Sequence, residues 1–193
     1  MTIAKSVRIK NSLDYLSSQT TNFITMNIRI AFIIAFFCLA TASHAQQSPW
    51  TKWSWLLGEW KGEGSGQPGQ GEGIFSFKPD LDNKILVRKA HSEYPASGNR
   101  PAAIHDDLLI VYPDVSGYPS KAIYFDNEGH TINYTISYSD KSIVLLSEKT
   151  TSLPVFRLTY TLLSDNTVDT KFDMSQDGEK FMTYIEGKSV KMK

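Results

Sequence analysis

From about residue 59 to residue 187 this chain repeats one pattern: apolar and polar residues alternate with period two, and turn residues interrupt the alternation roughly every ten positions. A strand points successive side chains to opposite faces, so this pattern describes half-buried strands joined by tight connections, and it is incompatible with amphipathic helices. The spacing predicts an all-β domain with ten strands near 59–65, 70–78, 83–93, 105–113, 119–126, 130–138, 142–149, 154–163, 167–174 and 180–187. A short helical turn is expected ahead of them, at 49–57. Asp126-Asn127-Glu128-Gly129 and Ser175-Gln176-Asp177-Gly178 place Asn, Asp and Gly where a hairpin needs positive φ. No segment is long enough for a helical crossover, which argues against a parallel α/β sheet. Sequential hairpins make a meander, and a ten-stranded meander hides its edges by closing into an antiparallel up-and-down barrel.

Three strands identify their apolar face. Ile132, Tyr134, Ile136 and Tyr138 share one parity, as do Phe156, Leu158, Tyr160 and Leu162, and as do Val168, Thr170, Phe172 and Met174. Bulky rings with a few hydroxyls suit either the wall of a ligand cavity or a dry, filled interior, and the residues alone leave both open.

The N-terminus reads as an export signal. Arg29 supplies a basic n-region, residues 30–40 are unbroken apolar sequence, and Ser43-His44-Ala45 is an A-x-A-like cleavage site. The run is shorter than the roughly 20 residues of a membrane span. Residues 26–45 are therefore expected to be the signal proper, 1–25 a long n-region or upstream sequence, and 46–193 a single periplasmic or secreted domain. The chain carries 20 basic and 20 acidic residues, but Lys5, Arg8, Lys10 and Arg29 belong to the leader, against one acid, Asp14. What remains is mildly acidic, which gives no electrostatic support to nucleic-acid binding. The lone cysteine, Cys38, also lies in the leader, so the domain has no thiol for a disulfide or a zinc site.

All four tryptophans fall within residues 50–60, followed by the glycine-rich run GEGSGQPGQGEG from Gly62. Gly64-x-Gly66-x-x-Gly69 matches the letters of a dinucleotide fingerprint, but Pro68 and more glycines follow where a phosphate-binding helix would have to begin. A hairpin at a barrel mouth fits the run better. The segment LLGEWKGEG, residues 56–64, resembles the opening of lipocalin-like (calycin) barrels, and especially the nitrobindin and fatty-acid-binding-like branch with its uncharacterised exported bacterial relatives. Phe156-Arg157-Leu158-Thr159-Tyr160, Asp177-Gly178 and Tyr184-Ile185-Glu186-Gly187 are similar to the closing strands of those relatives. The resemblance implies a closed barrel in which Gly58 bends the chain into the first strand and Trp60 plugs one end, both as structural residues. It also implies a haem-binding histidine on a late strand. Here the last histidine is His130, so haem would need a substitute ligand such as Tyr160, Met174 or Met182, and no cofactor is expected.

His91, His105 and His130 show no metal-ligand spacing and are expected at surfaces or turns. Asp80-Leu81-Asp82-Asn83 lacks the Gly and Glu of a calcium loop, and no G-x-S-x-G nucleophile occurs. The leading expectation is a non-catalytic carrier of a small hydrophobic or amphipathic molecule. Tyr134, Tyr138, Phe156, Tyr160 and Phe172 would form the wall, and Arg88 or His91 would meet a polar head group. These last two have opposite parity, so only one can face inward. An enzyme on the same scaffold, or a filled barrel acting through its surface, are the alternatives.

Overall fold

A computed structural model of the protein describes residues 48–63, 72–150 and 154–193. The expected N-terminal extension and export signal, 1–45, and the glycine-rich residues 64–71 lie outside the described residues. A 3-10 turn at Thr51–Trp53 leads into β1 (Gly58–Gly62), β2 (Glu72–Asp80), β3 (Ile85–Tyr94), β4 (Ala103–Tyr112), β5 (Lys121–Asp126), β6 (Thr131–Tyr138), β7 (Ser142–Ser147), β8 (Val155–Ser164), β9 (Thr167–Ser175) and β10 (Met182–Lys191). Each strand pairs with the next, and β1 pairs with β10, so the sheet is a closed antiparallel barrel. Among the described residues no helix is long and apolar enough to cross a membrane.

Cross-strand register assembles the inward face from the parities read in the sequence. Trp60 lies opposite Phe75, Phe77 opposite Arg88, Leu86 opposite Val111, and Ala122 opposite Tyr134. Further round, Tyr138 meets Ile143, Ile143 meets Tyr160, and Tyr160 meets Thr170. One end of the barrel is sealed. Trp50, Trp53, Leu56 and Trp60 are at most 1% exposed and pack with Phe77, Leu86 and Val111. Each indole N–H has a partner: Trp60 donates to the Leu56 carbonyl at 2.8 Å, Trp53 to the Tyr138 hydroxyl at 2.8 Å, and Trp50 to the Asn83 carbonyl at 3.1 Å. Gly58 has φ +111°, where a side chain is strained, and an added Cβ would meet Lys191 Cε at 3.2 Å.

Two connections are held by carboxylates. Asp114 accepts from the Ser116 and Ser120 hydroxyls and then from backbone N–H groups, which lowers its pKa to about 2. Asp177 accepts from the backbone N–H groups of Lys180 and Glu179 and from the Ser175 hydroxyl, with the same result, about 2. Burial opposes ionisation of Asp173, yet Arg157 and Thr183 outweigh it, and its pKa is also lowered. Asp169 shifts the other way, raised by burial and then by Glu186. A carboxylate with a lowered folded pKa stabilises the fold above its unfolded value, and that contribution is lost as pH falls through the folded value. Unfolding free energy measured in denaturant is therefore expected to hold near neutrality and decline between about pH 4 and about pH 2. A flat profile across that window would contradict these assignments.

Candidate functional site

Above the tryptophan plug, the inward positions turn from purely apolar to mixed. Arg88 on β3 projects into the barrel with only 9% of its surface exposed and forms an ion pair with Asp107 of β4. Its guanidinium lies 5.3 Å from the centroid of Phe75, whose ring is 6.0 Å from that of Tyr160, so Arg88 and Tyr160 both adjoin one phenyl ring. Burial works against the Arg88 charge, but Asp107 prevails and holds it protonated with a raised pKa. Burial pushes the Tyr160 hydroxyl up to about 12, less than it otherwise would because Arg88 lies close. Tyr134 and Tyr124 are likewise raised, chiefly by burial, so all three phenols stay neutral.

A second tier continues toward the end carrying residues 95–102 and 127–130. His105 Nε2 is 3.0 Å from the Tyr124 hydroxyl, and its Nδ1 is 3.1 Å from Glu128. Tyr124 donates to Asp126 at 3.3 Å, and Asp126 is 2.9 Å from His130 Nδ1. Although burial raises it, the Asp126 pKa is lowered overall by the backbone and side chain of His130. On β8 and β9 Phe156 and Phe172 stack at 5.6 Å with 10° between planes, both partly buried, and Phe172 meets Tyr184 edge-on at 6.3 Å. Three buried polar atoms have no hydrogen-bond partner among the described residues: Arg88 Nε, the Tyr160 hydroxyl and Thr170 Oγ1. Native structures leave few such groups, and each costs about 1–3 kcal/mol.

Of the residues expected to form a site, Arg88, Tyr134, Tyr160, Phe156 and Phe172 come together on the inward face. Two do not. Tyr138 sits in the sealed end, accepting from Trp53 and donating to the Pro119 carbonyl, so its hydroxyl is committed to the plug. His91 lies on the outer face with Asp106 at 2.7 Å and Glu93 at 3.2 Å, which raise its pKa above the ordinary histidine value. The inward histidine is instead His105, expected at a surface or turn, and with it comes Asp107, which the sequence does not single out. In β4 both parities are apolar below Asp107, with Leu109 and Val111 inward and Leu108 and Ile110 outward, so alternation cannot say which way the acid points. Only its pairing two positions away from Arg88 across β3 reveals it.

Outside the barrel, an open depression of about 750 Å³ is bordered by Glu59, Ile74, Lys89, His91, Leu108 and Phe125. Its His91 and Asp106 pair with each other in water, where a surface ion pair contributes little. The buried, unpartnered chemistry lies on the inner side of the same sheet.

Neither Tyr160 nor Met182, two of the expected substitute ligands, is placed to hold a haem iron. Ligation by Tyr160 needs a phenolate, whereas its hydroxyl is held neutral and its ring is wedged between Phe75 and Phe77 at 6.0 and 5.4 Å. Met182 is 64% exposed, and both nitrogens of His105 are engaged. Among the described residues no three His, Cys, Asp or Glu side chains converge on a metal position.

No protein-family model matches the chain, and no curated protein matches it in sequence. Among solved structures, the barrel is similar to the crystal structure of Rv2717c from M. tuberculosis. The match has a TM-score of 0.52 and 12% identity, covering 75% of this chain and 98% of that one. At that identity the likeness concerns the fold alone, and it fits a lipocalin-like barrel.

Proposed function

We propose that the protein is an exported, non-catalytic carrier that holds a small hydrophobic or amphipathic molecule inside the barrel. The observation that supports this reading most is the gradient along the interior. From the partly buried stacked pair Phe156 and Phe172, the inward wall descends through Leu158 to the unpartnered polar atoms of Tyr160 and Arg88, while tryptophans seal the far end. From Phe156 to Tyr160 is four residues of strand, about 13 Å, which matches the length of a short acyl chain. Ligand sites are commonly apolar walls with a few polar groups that fix orientation. Export rests on the leader at 1–45, and membership of the nitrobindin or fatty-acid-binding-like branch rests on the LLGEWKGEG opening.

Titration with Nile red, an uncharged dye whose emission responds to polarity, tests the reading. Saturable blue-shifted emission, displaced by apolar competitors, is the expected result. A linear, unsaturable response would instead indicate a filled barrel acting through its surface.

A further inference from the structure

Resting on that reading, we infer that the barrel selects ligands with an uncharged oxygen head group, such as an ester, amide or ketone carbonyl, and discriminates against both carboxylates and ammonium groups. Arginine in a cavity ordinarily suggests a carboxylate partner, because the guanidinium fork suits it. Here the guanidinium charge is already balanced, since Nη1 of Arg88 is bound to Asp107, and the Nε–H that remains is a donor on a neutralised pair. Among the described residues Arg88 faces two buried carboxylates on the inward face, Asp107 and Asp126, whose side chains are 8% and 4% exposed; His105 Nε2 lies 3.8 Å from Asp107 and His130 Nδ1 2.9 Å from Asp126. An incoming carboxylate would be desolvated beside two like charges with no free cation to compensate it. An ammonium would be desolvated beside the like charge of the buried Arg88 guanidinium, whose carboxylate is already paired.

Among the described residues the interior leaves two donors unsatisfied beside Phe75: the Nε–H of Arg88 and the hydroxyl of Tyr160. Arg88 is 91% buried and Tyr160 fully so, and Thr170, directly across from Tyr160 in the β8–β9 pair, carries a second unpartnered hydroxyl. A carbonyl oxygen has two lone pairs and no charge, and can accept from both donors at once. The ligand reaches them by displacing Leu158 and the stacked rings of Phe156 and Phe172, which lie between Tyr160 and the open end of β8.

Competition against Nile red by methyl laurate, laurate and dodecylammonium, at neutral pH and below their micelle concentrations, reads this out. Methyl laurate is expected to displace the dye at a concentration about tenfold or more lower than either charged analogue. Tyr160→Phe removes a hydroxyl with no partner in the protein, so melting temperature should hold or rise while methyl laurate affinity falls about fivefold. Asp107→Asn, where it folds, should move the ester-to-laurate ratio about tenfold toward laurate by freeing Arg88. Laurate binding as tightly as its ester, or Tyr160→Phe binding the ester like the unaltered protein, overturns the inference while leaving the carrier reading intact. A dye signal that never saturates overturns both.

Discussion

Asp107→Ala is expected to cost about 3–5 kcal/mol, because it leaves the Arg88 guanidinium charged and without its partner in the interior. A domain of this size should then melt about 10–15 °C lower. The pair itself contributes less than that figure, since assembling it required desolvating both ions. Replacing both partners with apolar residues, Arg88→Met with Asp107→Leu, should recover most of the loss. Thermal and denaturant unfolding of the single and double variants separate these effects. A single variant within about 1 kcal/mol of the parent would mean that water reaches Arg88, and the sealed polar tier would have to be abandoned.

Trp60→Ala is expected to cost about 3–5 kcal/mol for a different reason, the removal of a fully buried indole from the barrel's closed end. The ring stacks on Phe75 at 6.2 Å and carries Lys191 Nζ 5.3 Å above it, while its N–H ties β1 to the preceding turn through Leu56. Trp60→Phe keeps most of the ring and loses the bond, so it should cost about 1–2 kcal/mol. If the phenylalanine variant were as unstable as alanine, the Leu56 bond and not the packing would hold the plug together. Loss of the plug should also open the sealed end, raising exchange of the Tyr138 and Trp53 side-chain protons.

Much of this architecture is legible locally because hairpins join neighbours in sequence, and alternation plus turn chemistry suffice to place each strand. β10 shows where local reading stops. Its end at Lys191 lies beyond the expected 187, because Ser189, Val190 and Lys191 pair with Gly62, Lys61 and Trp60 to close the barrel. Nothing in the polar letters of that segment announces a partner more than a hundred positions away. The register shift between Thr183 and Ile185 obscures its alternation further. The site was legible only in part for a related reason. Arg88, Tyr160, Phe156 and Phe172 stand out on strands with one clear apolar face. Asp107 and His105 sit on a strand apolar on both faces, and Tyr124 on a short strand whose outward neighbours Ile123 and Phe125 are as apolar as it is. A buried ion pair is a property of two strands in register, and no single strand displays it.

Ligand is expected to bind within the barrel and not in the depression outside it. The most direct measurement is an NMR titration of methyl laurate into the protein, following side-chain resonances on both faces of the sheet. Saturable shifts are expected at Ile132, Phe156, Leu158, Tyr160 and Phe172, with Ile74, Leu108 and Phe125 unmoved. Saturable shifts confined to Ile74, Leu108 and Phe125 would contradict this expectation.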